Sequence, residues 1–112
     1  RPVSLSAPRY TISEAGHLAH TSSQNVRRWL FGYSAPGHKM QPVLGERVKS
    51  DTQLLSFLDV CELGVVAAFR KDPGNVSLER LRRAYEFARE MLELDHPFAS
   101  ERLRRDGGHV LY

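Results

Sequence analysis

The chain has 112 residues, the length of one domain, and its 16 Lys and Arg against 13 Asp and Glu give a formal net charge of +3. No apolar stretch reaches the roughly 20 residues of a membrane-spanning helix, and a single cysteine excludes an internal disulfide framework. The pI of about 9.4 is compatible with an anionic partner but identifies none. We predict a cytoplasmic protein with Cys61 as a buried apolar filler.

Residues 1–9 contain two prolines and alternating apolar residues, which predict an extended arm. This arm would add a strand or lie along a partner. Because the first residue is Arg1 rather than Met, we expect the chain to be a piece of a longer protein.

Two short helices joined by a tight corner are predicted between Tyr10 and Leu30. Thr11 to Glu14 fits a capping box, with Ser13 alone as the alternative cap, so the first helix begins near Ser13. Ser22 is a second N-cap candidate. It precedes apolar residues at helical spacing, which predict a second helix over about 23–30: Val26, Trp29 and Leu30.

The other face of the second helix is polar and lacks Asp and Glu. It carries Ser23, Gln24, Asn25, Arg27 and Arg28. Gln and Asn can pair with adenine, Arg with guanine, and hydroxyl groups with phosphate at a helix N-terminus. We predict a helix-turn-helix in which Ser23, Gln24 and Asn25 contact base edges. Arg27 and Arg28 would contact phosphates, and Ser22 belongs to the same surface. The alternative is an amphipathic helix with a solvated polar face.

The next stretch, 31–50, contains three glycines and two prolines, which exclude a long helix. Val43-Leu44 and Arg47-Val48-Lys49, joined by Gly45-Glu46, predict a short β-hairpin, and Arg47 and Lys49 on it would contact phosphates. Such a hairpin resembles a wing. The alternative is a glycine-rich surface loop.

Two longer apolar helices are predicted within 51–112. The first, up to Arg70, would begin at Ser50 or Asp51 and is apolar on more than one side, so it lies in the core or in an interface between copies. Asp59 and Glu62 mark its narrow polar side, which we interpret as a solvated edge.

The second long helix is capped by Ser77 and ends at His96-Pro97. Its predicted inner stripe and a neighbouring second stripe are both apolar, which favours a homodimer through these later helices. The inner stripe comprises Leu78, Leu81, Tyr85, Ala88 and Leu92, and the second comprises Ala84, Phe87, Met91 and Leu94. A short helix over 98–105 and a strand over 109–112 would follow.

These motifs resemble a known family. YTISEA, the spacing SSxxVRRWL, a glycine-containing hairpin and LLSFLDVCEL resemble the winged helix-turn-helix of the MerR superfamily. With DPGNVSLERLRRAYEFARE and HPFASERLRRDGGHVLY, the chain from Tyr10 onward is similar to the DNA-binding half of VapB-type antitoxins of the mycobacterial kind. The resemblance implies a mainly α fold: a winged helix-turn-helix over 10–50, then two longer helices and a short C-terminal strand.

For function, the resemblance implies an antitoxin that binds palindromic double-stranded DNA as a homodimer and represses its own operon. Ser22 to Arg28 would be the recognition helix and Tyr33 to Lys49 the wing. The corner has His20-Thr21 where many relatives place a glycine. A region beyond this domain would neutralise a PIN-domain ribonuclease toxin of the VapC type.

The sequence is also compatible with other classes of function. A MerR-like transcriptional regulator and a protein-protein interaction module without DNA binding remain alternatives. An enzyme is poorly supported, because no phosphate-binding loop or nucleophile-base set is present. Among the histidines only His17 and His20 have a ligand-like spacing, which we interpret as a surface pair beside phosphates. We therefore predict no catalytic residue, metal or cofactor, and no membrane partner.

Overall fold

The computed structural model describes residues 5–45, 53–71 and 75–100, and this part of the chain is mainly α-helical. Residues 97–100 are also helical. The elements in chain order are α1 (Ile12–Leu18), α2 (Ser23–Phe31), β1 (Tyr33–Ala35), β2 (His38–Met40), α3 (Phe57–Arg70) and α4 (Leu78–Leu92). None of the helices in these ranges is both long and apolar enough to cross a membrane.

The first two helices begin where their capping residues predict. The Thr11 hydroxyl accepts the Glu14 backbone N–H at 3.1 Å, and the Glu14 carboxylate accepts the Thr11 N–H at 2.9 Å, which completes the capping box. The Ser22 hydroxyl accepts the Asn25 N–H at 3.1 Å and begins α2. Both predicted helices are therefore confirmed, with α2 one residue longer than expected.

The corner between α1 and α2 turns at His20, whose φ is 60°. This is the left-handed region, which glycine enters without strain and which histidine adopts more readily than most residues. The corner is closed by the Thr21 N–H, which donates to the Gly16 carbonyl at 2.9 Å. Histidine thus occupies a backbone position suited to glycine and still makes the sharp turn.

A two-stranded antiparallel hairpin follows α2, but not at the predicted position. Its register pairs Tyr33 with Met40 and Ala35 with His38 around the Pro36-Gly37 turn. The prediction of strands over 43–49 is wrong at its start, because Val43 and Leu44 are buried and both donate their N–H groups to the Trp29 carbonyl. Residues 46–49, including the predicted phosphate contacts Arg47 and Lys49, lie outside the described ranges.

The start of α3 also differs from the prediction. The helix is capped by Ser56, not by Ser50 or Asp51, and a reciprocal bond with Asp59 completes a capping box. The helix begins late because Leu55 is extended and pairs with Tyr10 in an isolated antiparallel bridge. The described part of the N-terminal arm, residues 5–9, thereby lies along its own chain, where the Leu58 N–H donates to the Leu5 carbonyl at 3.2 Å.

The main core collects apolar side chains from α1, α2, α3, α4 and the segments between them. The buried set is Ile12, Ala15, Ala19, Val26, Trp29, Leu30, Val43, Leu44, Leu55, Val60, Leu63, Val66, Ala67, Leu81 and Tyr85. A smaller cluster joins Leu58, Cys61 and Ala99, so Cys61 is buried as predicted. The core fixes the α1–α2 corner against α3, which leaves one side of α2 facing outward.

The second long helix, α4, begins at its predicted cap Ser77 but ends at Leu92, before His96-Pro97. Glu93 ends it in the left-handed conformation, with a φ of 53°. Of the predicted inner stripe, Leu81 and Tyr85 are buried, whereas Leu92 is exposed. The later part of the predicted 98–105 helix and the 109–112 strand fall in residues that are not described.

Candidate nucleic-acid interface

The polar face predicted on α2 is on the outside of the molecule. Val26, Trp29 and Leu30 anchor the opposite face in the core. Gln24 and Arg27 are exposed, whereas Ser23, Asn25 and Arg28 are half-buried. The first turn of α2 contains no acidic residue, so the positive end of its helix dipole is not neutralised there.

Hydrogen bonds hold the N-terminal end of α2 in place. The Asn25 side-chain amide donates to the Thr21 hydroxyl at 3.0 Å, and its backbone N–H donates to Ser22. Ser22 uses an acceptor lone pair for the cap, so its hydroxyl proton can still be donated to another group. Asn25 is therefore a positioned side chain with one of its two amide N–H donors already used, while Gln24 projects beside it into solvent.

Aromatic contacts connect α2 to the hairpin. The Arg28 guanidinium carbon lies 5.1 Å from the centre of the Tyr33 ring, and the Tyr33 ring centre lies 5.8 Å from that of His38. A guanidinium over an aromatic face is stabilised by about 0.5–1 kcal/mol at an exposed site. Arg28 is therefore directed toward β1 and β2, and it joins the helix and hairpin surfaces.

A cleft of about 390 Å³ opens beside α2, between the α1–α2 corner and the C-terminal end of α3. Its lining includes Arg28 from α2, Arg70 and Lys71 from the end of α3, and His20 from the corner. None of the described residues lining it is Asp or Glu. The Arg70 guanidinium is oriented by a 3.1 Å hydrogen bond to the Val76 carbonyl. We call this surface the basic cleft, and its charge suits an anionic group.

The predicted site residues fall into three groups. Asn25 and Arg28 line the basic cleft. Four more lie near it on the same helix or its cap: Ser22, Ser23, Gln24 and Arg27. The remaining two, Arg47 and Lys49, are outside the described residues.

Sequence reasoning missed Arg70, Lys71 and the exposed hairpin residue Lys39. Arg70 and Lys71 end the apolar helix α3 directly before Asp72-Pro73-Gly74, and paired cations before such a breaker could have indicated an exposed basic corner. The dipeptide Pro36-Gly37 could have indicated the hairpin turn and with it Lys39.

Two acidic residues of α3 do not form the solvated edge that was predicted. Asp59 is 8% exposed and caps its own helix, and Glu62 is fully buried. The Glu62 Oε1 atom accepts the Tyr85 hydroxyl at 2.8 Å and lies 3.0 Å from His96 Nδ1. Its Oε2 atom accepts the Phe98 backbone N–H at 3.1 Å. The prediction fails because these partners come from α4 and from residues about 34 positions further along the chain.

This buried cluster has the composition of a metal site but the bonding of a structural one. Ligand atoms of Asp59, Glu62 and His96 all lie within 4.8 Å of one another. Each is already engaged, however: Asp59 in the Ser56 cap, and Glu62 with His96. The hydrogen bond to Glu62 raises the pKa of His96 above its usual 6.5, against the opposing effect of burial. Glu62 therefore holds the 95–98 segment to α3 and α4.

Comparisons with known proteins add no further assignment. No family model matches the chain, and no curated protein or solved structure matches it.

Proposed function

We propose that the chain is a double-stranded DNA-binding module with a winged helix-turn-helix, in which α2 is the recognition helix and the β1–β2 hairpin is the wing. Two copies act together on DNA with two half-sites, as helix-turn-helix proteins commonly do. The module belongs to a VapB-type antitoxin that represses its own operon. In the longer protein, another region neutralises a VapC-type PIN-domain ribonuclease.

The observation that carries the DNA-binding proposal is that two suitable surfaces lie side by side. The outward face of α2 offers amide and guanidinium groups, and the basic cleft directly beside it combines cations of α2 and of the end of α3 without a described carboxylate. A duplex presents binding partners for both surfaces, because base edges in the major groove lie next to a row of phosphates.

Each side chain has a role that its position suits. Gln24 is exposed and can bond a base edge through both ends of its amide. Asn25 contributes through its side-chain oxygen and its second amide N–H, since Thr21 accepts only the first. Arg27 contacts a phosphate from the exposed face, while Arg70 and Lys71 contact the phosphates that border the groove from the cleft side.

Fluorescence anisotropy with a labelled duplex tests this proposal. For a non-specific duplex, we expect binding that weakens steeply with salt, because phosphate contacts release counterions. Arg70→Ala and Lys71→Ala should each lower the slope of log affinity against log salt by about 0.9. Arg89→Ala removes the same charge from an exposed position on α4 and should leave the slope unchanged. If no duplex is bound at low salt, the proposal fails.

Base reading is tested on a selected site. After enrichment of a preferred duplex from a random pool, Gln24→Ala should relax selectivity at particular base pairs, by about 1–3 kcal/mol per contact. Arg27→Ala should instead weaken all sequences equally. An identical loss on every sequence for both variants would contradict α2 as the reading helix.

The antitoxin assignment rests on the resemblance described above and has its own test. A nuclease reading frame next to the gene, and growth rescue when the full-length protein is co-expressed with that nuclease, are the expected results. A regulator of unrelated genes would bind DNA equally well but would give no rescue. That outcome would favour the MerR-like regulator over the antitoxin.

A further inference from the structure

A second hollow adjoins the basic cleft, between the C-terminal end of α1 and one face of α3. It has a volume of about 490 Å³, and its lining includes Leu18, Phe57, Val60, Gly64 and Ala68. We call it the apolar groove. Val60 and Gly64 are buried, whereas Leu18 is 50% and Phe57 36% exposed. A concave and mostly apolar surface of this volume is typical of a small-molecule site.

The apolar groove is elongated along α3. Phe57, Val60, Gly64 and Ala68 are spaced three or four residues apart, so they lie on one face of the helix. From Phe57 to Lys71, which also lines the groove, the helix rises about 20 Å. Gly64 has no side chain and Ala68 only a methyl group, which leaves room beside the backbone of α3. A groove of this length suits a linear hydrocarbon chain better than a compact ring system.

The cationic side of the groove lies at one end. Lys71 lines it where α3 ends, and His20 lines it from the α1–α2 corner. Both residues are exposed, and none of the described residues lining the groove is Asp or Glu. A lysine ammonium and an imidazole N–H are donors that a carboxylate accepts. The groove therefore combines an apolar length with a cationic end, which complements an amphiphilic anion.

The cationic end is shared between the two hollows. His20, Ala67 and Lys71 line both the apolar groove and the basic cleft. The Lys71 ammonium, which we assign to a DNA phosphate, is therefore also available to a carboxylate that lies in the groove. Because both anions need the same cation, binding of one disfavours binding of the other.

We propose that the apolar groove binds a medium-chain carboxylate and that this ligand weakens DNA binding. The hydrocarbon chain lies along α3 between Leu18 and Phe57, and the carboxylate contacts Lys71 and His20. The effect on DNA rests on the proposed function, whereas binding of the carboxylate does not. The ligand and DNA then lower each other's affinity by the same factor.

Isothermal titration calorimetry of the whole chain without DNA measures the binding step. The probes are acetate, hexanoate, octanoate and decanoate at neutral pH, each below the concentration at which it aggregates. We expect no binding of acetate and an affinity that rises about fivefold or more with each added pair of methylenes, because the chain leaves water. Octanol, which has the same chain length as octanoate without its charge, should bind about threefold to fivefold more weakly. An affinity independent of chain length, or equal affinities for octanol and octanoate, would overturn the proposal.

Two variants separate the chain from the carboxylate. Ala68→Phe fills the groove from an exposed position and should abolish binding of octanoate and octanol. Lys71→Ala should weaken octanoate to the affinity of octanol and leave octanol unchanged. Arg89→Ala, which removes the same charge from α4, is the matched control and should have no effect. Circular dichroism checks that each variant is folded.

NMR locates the ligand, and sedimentation tests the competing occupant. Octanoate should shift amides along α3 and at the end of α1, with little change on the exposed side of α4. Shift changes centred on the exposed Phe87 and Met91 would contradict the groove as the site. A ligand-free dimer that Ala68→Phe dissociates would assign the groove to a second copy of the chain and would also overturn the proposal.

Fluorescence anisotropy with a duplex tests the effect on DNA. Saturating decanoate should lower the slope of log affinity against log salt by about 0.9 in the wild type, as the loss of one phosphate contact does. It should cause no further change in Lys71→Ala, and an equal concentration of acetate should leave both proteins unchanged. An unaltered slope in the wild type with decanoate bound would overturn the effect on DNA. If no duplex is bound at all, the proposed function fails and this effect with it, but the calorimetric result stands.

Discussion

Replacing Glu62 by Gln tests how strongly one buried carboxylate holds the 95–98 segment to α3 and α4. Glu62 has no exposed surface, and donors from Tyr85, His96 and the Phe98 backbone converge on its two oxygens. Gln keeps the shape of the side chain but removes the charge. It also replaces one acceptor oxygen by an amide nitrogen, so either the Phe98 N–H loses its acceptor or Tyr85 and His96 must accept where they now donate.

The magnitude follows from the bonds involved. A hydrogen bond to a charged group contributes about 1.5–3 kcal/mol. We therefore expect Glu62→Gln to cost about 2–3 kcal/mol. Glu62→Ala should cost about 3–5 kcal/mol, because it removes the acceptor of His96 and of the Phe98 N–H and leaves the Tyr85 hydroxyl only its 3.3 Å contact with the Asp95 carbonyl. A domain of this size has a free energy of unfolding of about 6–17 kcal/mol, so either loss is large.

Urea denaturation followed by circular dichroism measures these differences, and amide hydrogen exchange locates them. Tyr85→Phe is the matched control, because it removes only the hydroxyl donor and should cost about 1–2 kcal/mol. In Glu62→Gln, the amide of Phe98 should lose protection before those of α2. Stability within about 0.5 kcal/mol of the wild type, below the size of most core effects, would refute the assigned role of the carboxylate.

Three further predictions concern other parts of the fold. The pKa of His96 is raised in the folded state, so the stabilisation by protonated His96 is complete below its unfolded pKa of 6.5 and is lost as pH rises through the raised pKa. The urea midpoint of unfolding should therefore fall across this pH window, and Glu62→Gln should make the midpoint depend less on pH. Gly32→Ala should cost about 3 kcal/mol or more in thermal unfolding, because the φ of Gly32 is 75° and a Cβ there would meet the Met40 carbonyl oxygen. Gly37→Ala is the control, since Gly37 has a φ of 73° but lies in open space, and it should cost only about 1–2 kcal/mol. Equal losses would contradict the close approach of Gly32 to Met40. Ser56→Ala removes the cap of α3 and should cost about 1 kcal/mol in the same assay, and no measurable change would contradict the capping box.

Local chemistry was the predictable part of the fold. The caps Ser22 and Ser77 were predicted correctly, and Thr11 was one of the two candidates for α1, because a capping bond spans only three residues and depends little on the rest of the chain. The cap of α3 was misplaced for a related reason. Ser50 and Ser56 both precede an apolar run, and only the pairing of Leu55 with Tyr10, 45 positions apart in the sequence, delays the helix to Ser56.

Long-range packing was the part that the sequence could not provide. Glu62 has the spacing of a surface residue, and its burial depends on donors from α4 and the 95–98 segment, which no local pattern predicts. The basic cleft also depends on long-range packing. Arg28 was predicted to contact DNA, but Arg70 and Lys71 join it only because α3 ends beside the α1–α2 corner.

An NMR titration of the isotope-labelled protein with a short duplex at low salt would test the DNA-binding proposal most directly. We expect the largest amide shift changes at residues 22–28, at the β1–β2 hairpin around Lys39 and at Arg70 and Lys71, with little change along the exposed side of α4. Shift changes centred on α4, or none at any described residue while the duplex is in excess, would contradict α2 and the basic cleft as the DNA-binding surface.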